Sequence, residues 1–263
     1  LSHSFLKRTA NGIVPIEGKE LRIGDRVPVT AFIPESNNKV LSVKIGEREV
    51  NLDENFGYFC GNYLASGVSN KYGIRISGIT EDLCETNGWS IEMKENYAQV
   101  RNTYLTEFMT KTFGKSAESK TISSMIYQTD KNFLRGVLSG FIDNEGNIDT
   151  KKMNIRLTSI NRQFLVEIAF IFNYFGIFCT INTEARRHNV IYVLNISRKY
   201  AINIERELNL KCLDKVNAID QIIKYLNRED VHDVAEYIDK IPECGDLIAE
   251  TGKLLDIKGH SRI

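Results

Sequence analysis

The chain has 263 residues, of which 42% are hydrophobic and 26% charged, a composition typical of globular proteins with one or two domains. No apolar run approaches the length of a membrane span and no signal-peptide pattern opens the chain, so neither a membrane protein nor a secreted protein is expected. Five widely spread cysteines without paired spacing favour a reducing, cytoplasmic location over a disulfide framework or a zinc site.

The formal net charge is zero, but the charges are unevenly distributed along the chain. Residues 150–228 carry 13 Lys and Arg against 6 Asp and Glu, whereas residues 229–256 carry 2 against 9. A basic middle of the chain is suited to a phosphate-bearing partner, with an acidic tail balancing the sum. A solvated surface is the alternative interpretation.

Residues 1–50 are predicted to form a small all-β segment. Glycines and prolines there interrupt short apolar pieces such as Val27–Ile33, which is typical of strands joined by turns. Residues 51–130 follow as a second region. It opens with Phe59–Gly67, an apolar segment that has small residues on one side and ends in glycine, like a helix C-terminus. The elements predicted after this segment are a strand at Gly73–Gly78, a helix or turn at Glu81–Thr86, a strand at Tyr97–Asn102 and a helix at Tyr104–Phe113.

A second segment of the same kind, Leu138–Gly146, lies 79 residues further on, inside residues 131–228. The elements predicted after it are strands at Asn154–Ser159, Cys179–Glu184 and Val190–Ile196 and helices at Gln163–Tyr174, Lys199–Leu208 and Val216–Leu226. The repetition predicts a duplicated fold. The small side chains expected to let the two glycine-containing helices approach closely are Gly61, Ala65, Ser139 and Gly140. Residues 229–263 are predicted to form a truncated helical extension, with a helix that opens at Ile241 and runs to about Leu255.

The two segments resemble the LAGLIDADG motif of homing endonucleases, the second more closely than the first. The resemblance implies an α+β fold: a pseudo-twofold duplicated saddle with αββαββα-like halves, whose motif helices pack together at the axis. It also implies a monomer that binds double-stranded DNA and cleaves it with Mg²⁺ or Mn²⁺.

In that family the acidic residue before the final glycine of each motif binds a catalytic metal. The resemblance therefore assigns Glu145 and Gly146 to one metal site and Ser66 and Gly67 to the other. Because a hydroxyl carries no negative charge, we expect weak metal binding on the Ser66 side and cleavage that is impaired or limited to one strand.

The family also places a basic residue from each half beside the metals. The segments 114–120 and 208–211 resemble those that carry it, which assigns Lys120 and Lys211, with Lys215 as the competitor of Lys211. An ordinary exposed lysine is the alternative for each.

Residues that read DNA are expected on the concave face of the sheets, because a twisted antiparallel ribbon fits the major groove and alternate side chains point at base edges. The candidates are Arg75, Ser77, Arg156, Thr158, Thr183, Arg186, Arg187, Asn195 and Lys199, with Arg186 and Arg187 at the tip of a hairpin.

Two segments near the start, Ser2–Leu6 and Glu20–Val27, resemble part of an intein splicing domain, and inteins often carry a LAGLIDADG endonuclease. His3 matches the histidine that assists the first acyl shift. Because no nucleophile precedes it, self-splicing is not expected. The sequence thus favours an intein-type homing endonuclease. The alternatives are a DNA-binding protein that does not cleave, a protein-splicing element, and an RNA maturase.

Overall fold

The described residues fall into two units, one within residues 1–30 and the other within residues 31–231. The computed structural model describes residues 3–10, 12–30, 32–35, 37–78, 89–185 and 190–228. In the first unit, strands β1 (Ser4–Thr9) and β2 (Gly12–Glu17) pair in an antiparallel hairpin. This confirms small strands at the start of the chain, although Val27–Thr30 forms no strand.

The second unit begins with a hairpin that leads into the first motif helix. Strands β3 (Ser42–Ile45) and β4 (Arg48–Asn51) are followed by helix α1 (Glu54–Ser66). The elements after α1 are β5 (Val68–Asn70), β6 (Gly73–Ile76), β7 (Ile91–Met93), β8 (Ala98–Val100) and helix α2 (Thr103–Phe113). The helix or turn predicted at Glu81–Thr86 lies outside the described residues.

The second motif helix, α3 (Lys131–Glu145), opens the second half. The elements after α3 are β9 (Asn147–Asp149), β10 (Asn154–Ser159), α4 (Arg162–Asn173), β11 (Cys179–Ala185), β12 (Val190–Ser197), α5 (Ala201–Glu207) and α6 (Leu213–Leu226). The helix predicted at Lys199–Leu208 is shorter than expected, because Arg198–Tyr200 forms a 3₁₀ turn.

The two four-stranded antiparallel sheets have the same topology. Strand order is β5-β6-β8-β7 in the first half and β9-β10-β12-β11 in the second, each following its own motif helix. This correspondence confirms the duplicated α+β fold. The halves differ in size, since the strands of the first sheet have three or four residues and β10–β12 have six to eight.

The motif helices pack against each other through two glycines on each helix, spaced four residues apart. A Cβ atom on Gly57, Gly61, Gly136 or Gly140 would lie 2.1–2.3 Å from a carbonyl oxygen of the opposite helix. Side chains larger than hydrogen are therefore excluded from this interface. The prediction is confirmed for Gly61 and Gly140. It missed Gly57 and Gly136, whereas Ala65 is only half-buried.

Each sheet buries one face. On β6, Ile74 and Ile76 are fully buried, and on β10 the same is true of Ile155 and Leu157. The side chains between them point to the opposite face, because successive residues of a strand alternate. Among the described residues, no helix has both the length and the apolar character required to cross a membrane.

Candidate active site

Both motif helices end at a glycine one residue after the position predicted to bind metal. The backbone N–H groups of Gly67 and Gly146 donate to the carbonyls of Tyr63 and Ile142, each at 2.8 Å. Neither glycine is left-handed, with φ of −75° and −62°. The requirement for glycine is one of space, since a Cβ on Gly67 would lie 2.3 Å from the Tyr63 ring.

The two helix ends open on one cavity of about 300 Å³. Its polar lining comes from both halves of the fold and includes Ser66, Lys120, Glu145 and Thr158. The backbone of Gly67 also borders it. The structure therefore brings together the two motif positions, 66 and 145, with one of the two predicted lysines.

Glu145 is the acidic group of this cavity. Its Oε1 accepts a hydrogen bond from Thr158 Oγ1 at 3.1 Å. The surrounding protein partly desolvates the carboxylate and raises its pKa, while the Thr158 hydrogen bond and the charge of Lys215 act in the opposite direction. The side chain nevertheless stays exposed to solvent and accessible to a ligand.

Several protein groups hydrogen-bond to the hydroxyl of Ser66. The oxygen donates to the Ser77 carbonyl at 2.9 Å and accepts from the Ser77 N–H at 3.1 Å. It also accepts from Asn144 Nδ2 at 3.2 Å. A hydroxyl has one proton and two lone pairs, so all three are in use. The hydroxyl is thus engaged with protein groups and carries no negative charge to attract a cation.

Lys120 is the basic group of the cavity, and it is 4% exposed. Its Nζ donates to the carbonyls of Tyr63 at 2.5 Å and Gly67 at 2.7 Å, at the C-terminal end of α1. It also lies 3.8 Å from the centre of the Tyr63 ring. Burial lowers the pKa of Lys120 to about 7, because a charged amine is disfavoured away from water. This lysine can therefore exist as a neutral amine near neutral pH.

Lys211 does not line this cavity. Its ammonium lies 4.3 Å from the centre of the Tyr58 ring, and its backbone N–H donates to Asp143 Oδ2 at 2.6 Å. The Tyr58 hydroxyl donates to the same carboxylate oxygen at 2.8 Å. Lys215, the alternative from the sequence, is the lysine whose charge acts on Glu145.

The two motif positions differ in their fitness for a metal ion. Within the described ranges, no three His, Cys, Asp or Glu side chains converge as a metal-binding group. Glu145 fits one hard divalent cation, because Mg²⁺ is commonly bound by one or two carboxylates together with water and substrate phosphate. The Ser66 side does not fit, since its hydroxyl is saturated and the carbonyl of Gly67 already accepts from Lys120.

The open faces of the two sheets carry several of the predicted DNA-contacting residues. Arg75 faces away from the core, and its Nε donates to Gln99 Oε1 at 3.3 Å. In the second sheet, Arg156 pairs with Asn195 across strands β10 and β12, on the same face as Thr158. The guanidinium of Arg156 forms an ion pair with Glu184.

Other predicted positions lie elsewhere. Thr183 is exposed and lies opposite Tyr192, on the face of β11 that also carries Ile181, and its role in DNA contact stays a prediction. Ser77 follows β6 and contributes its backbone to the Ser66 network. Lys199 lies in the 3₁₀ turn after β12, with its ammonium 5.1 Å from the Tyr200 ring. Arg186 and Arg187 lie outside the described residues.

Sequence reasoning missed Asn144, whose amide joins the two helix ends. The two N–H groups of its Nδ2 are shared among Asn62 Oδ1, Ser66 Oγ and the Ser77 carbonyl. The signal that could have revealed it is the internal comparison: 79 residues earlier, the matching position is Ala65. A polar residue at a position that is small in the other copy indicates a specific partner.

These features, two glycine-packed helices that each lead into a sheet of the same topology, define a LAGLIDADG-type fold. Residues 132–209 match the family described as the LAGLIDADG-like domain. The chain is also 30% identical over 292 aligned residues to the DNA-directed RNA polymerase subunit Rpo1C of Methanocaldococcus jannaschii. That alignment covers 97% of this chain and 33% of the relative, so the chain spans about a third of the relative's length.

Among solved structures, the chain is similar to the homing endonuclease I-DmoI and to WhiA. The complex of I-DmoI with DNA and Ca has 16% identity and a TM-score of 0.48, covering 64% of this chain and 98% of that one. Mesophilic variants of the homing endonuclease I-DmoI have 18% identity and a TM-score of 0.45, covering 59% and 88%. Full-length DUF199/WhiA from Thermatoga maritima has 13% identity and a TM-score of 0.43, covering 82% and 69%.

Proposed function

We propose that this chain is a site-specific homing endonuclease that hydrolyses phosphodiester bonds in a long duplex DNA site with Mg²⁺ or Mn²⁺. The observation that carries the proposal is the convergence of Glu145, Lys120 and Ser66 on one cavity at the ends of the paired motif helices. An acid that can hold a divalent cation and a lysine of lowered pKa suit phosphodiester hydrolysis, which needs an activated water and stabilisation of developing charge.

The chain's own residues have distinct proposed roles. Glu145 would hold the divalent cation together with a DNA phosphate, and the bound cation would supply polarisation of water and charge neutralisation. Thr158 fixes one oxygen of Glu145 and so orients the carboxylate. In its neutral form, Lys120 uses its N–H groups on two backbone carbonyls and keeps a lone pair that can take a proton from water.

The difference between the motif positions supports an enzyme that is impaired or cuts a single strand. A cut in each strand needs charge stabilisation at two scissile phosphates. Only the Glu145 side of this cavity offers a carboxylate among the described lining residues. We therefore propose that double-strand cleavage is slow or absent, whereas nicking next to Glu145 is retained.

The partner we propose is double-stranded DNA, bound by a monomer. Both halves of the site come from one chain, so a second subunit is not needed to complete it. Arg75, Arg156 and Asn195 are proposed base-reading or phosphate-contacting groups on the open sheet faces. Arg186, Arg187 and Lys199 are proposed phosphate contacts.

An intein origin is supported by the similarity to Rpo1C. Nearly the whole chain matches only a third of that RNA polymerase subunit. Because RNA synthesis does not call for a LAGLIDADG-like domain, the matched third has the character of an insertion, as an intein would be. Residues 1–50 are then the proposed remnant of a splicing domain, and residues 229–263 the proposed helical extension.

A second candidate function is sequence-specific DNA binding without cleavage. It is favoured by the saturated hydroxyl of Ser66, which leaves the cavity with one carboxylate instead of a pair. Both functions share the DNA-binding surface and differ in the role of Glu145.

The test begins with selection of bound duplexes from a random library in the presence of Ca²⁺, followed by incubation of the selected sites in supercoiled plasmid with Mg²⁺. Nuclease function predicts open-circular plasmid with the unaltered chain and none with Glu145→Gln, which keeps the size and the Thr158 contact of the side chain. Equal binding with no cutting by either protein would favour the binding function. Failure to select any site would contradict both.

A further inference from the structure

The amide of Asn144 lies among three oxygens of the first half of the fold, next to Ser66. Its Nδ2 lies 3.0 Å from Asn62 Oδ1, 3.2 Å from Ser66 Oγ and 2.6 Å from the Ser77 carbonyl oxygen. These three oxygens come from the first half of the fold, whereas Asn144 is the last residue but one of α3 in the second half. One donor nitrogen is thus surrounded by three neutral oxygens.

The hydrogen-bond network fixes which end of the Asn144 amide faces these oxygens. The Ser77 carbonyl can only accept, and the Asn62 amide is itself oriented because its Nδ2 donates to the Tyr58 carbonyl at 2.9 Å. The Asn62 oxygen therefore faces Asn144, and Asn144 must present its nitrogen. The partly positive amide hydrogens of Asn144 therefore point toward these oxygens.

The two copies of the motif differ at two neighbouring positions. Where the second motif has Asn144 and Glu145, the first has Ala65 and Ser66. The acid is missing from one copy and the small residue from the other, and the two exceptional residues hydrogen-bond to each other. Gly78 packs closely against Asn144, because a Cβ on Gly78 would lie 3.1 Å from Asn144 Nδ2.

We propose that Asn144 closes the first-half metal position, so that restoring an acid at residue 66 is not sufficient to restore cation binding. This proposal rests on the proposed function, which identifies position 66 as a metal position. The hydrogen bonds around Asn144 do not depend on that function. A carboxylate at position 66 would accept the N–H groups of Asn144 and Ser77, and these would compete with a cation for its lone pairs.

The experiment measures Mn²⁺ binding without DNA by electron paramagnetic resonance. All variants carry Glu145→Gln, so that the second-half carboxylate does not contribute. In this background, Ser66→Asp alone is expected to bind Mn²⁺ no better than the parent. Ser66→Asp combined with Asn144→Ala is expected to bind at least tenfold more tightly, and Asn144→Ala alone is expected to match the parent.

Equal Mn²⁺ affinity of Ser66→Asp with and without Asn144→Ala would overturn the proposal. Because DNA is absent from this experiment, its outcome is independent of whether the chain cleaves DNA. If the double variant fails to fold, thermal melting of Ser66→Ala, Asn144→Ala and their combination still tests the contact. The proposal expects the combined melting-temperature loss to be smaller than the sum of the single losses, and strictly additive losses would contradict it.

Discussion

Lys120→Met should change how the stability of the second unit depends on pH. In the folded protein burial lowers the pKa of Lys120 from 10.5 to about 7. The unfolded chain therefore binds this proton more tightly than the folded chain between about pH 7 and 10.5, and the stability of the wild type rises with pH across that window. Methionine at the same position carries no proton and removes this dependence.

The magnitude follows from the two pKa values. At about 1.36 kcal/mol per pH unit, the buried ammonium costs at most about 5 kcal/mol at low pH. The cost falls by about 2 kcal/mol between pH 7 and pH 9, and it changes by less than about 0.5 kcal/mol between pH 5 and pH 7. Methionine also leaves the carbonyls of Tyr63 and Gly67 without their donor, but that loss is the same at every pH.

Urea unfolding at pH 5, 7, 8 and 9 measures the difference between wild type and Lys120→Met. Lys115→Met is the matched control, because Lys115 is an exposed lysine of the same segment. The wild type should gain about 2 kcal/mol relative to Lys120→Met from pH 7 to 9, and nothing relative to the control. A difference that stays constant with pH would show that Lys120 is an ordinary ammonium and would refute the role proposed for it.

Three further predictions concern packing, positioning and recognition. Gly140→Ala places a Cβ 2.3 Å from the Tyr58 carbonyl, so it should destabilise the second unit by about 3 kcal/mol in urea unfolding, and a loss below about 1 kcal/mol would contradict the close helix contact. Asp143→Leu strands the Tyr58 hydroxyl and the Lys211 N–H, so it should cost about 2–3 kcal/mol, whereas an unchanged stability would show that these hydrogen bonds are absent in solution. Because strands β10–β12 are about twice as long as those of the first sheet, one half of the DNA site should tolerate fewer base-pair changes than the other in a binding selection, and equal tolerance in both halves would contradict unequal readout.

The duplicated fold was accessible from sequence because its main signals are local. The glycine-terminated segments occur twice, 79 residues apart. The strand Asn154–Ser159 has a six-residue pattern that locates both of its ends. The three-residue strands β5, β7 and β9 were not predicted as such, since three residues are too few to establish alternation.

The site was predictable only in part, because its geometry depends on distant segments. Glu145 and Lys120, which the family resemblance had assigned to the site, both line one cavity. The hydrogen bond from the Lys211 backbone N–H to Asp143 joins residues that are 68 positions apart. The saturation of Ser66 depends on Ser77 and Asn144, and no one-dimensional pattern joins these three residues.

The face of Thr183 illustrates a different limit. A one-residue change of register moves every side chain of a strand to the other face, so a sequence without register information does not assign a face to Thr183. The pairing of Thr183 with Tyr192 became known only from the register of β11 and β12.

The proposed site is tested by the anomalous difference map of a crystal of this chain with selected duplex DNA and Mn²⁺. We expect one manganese peak bound to the Glu145 carboxylate, with the scissile phosphate beside it and no peak at Ser66. Manganese bound at Ser66, or DNA lying away from the cavity that holds Glu145 and Lys120, would contradict it.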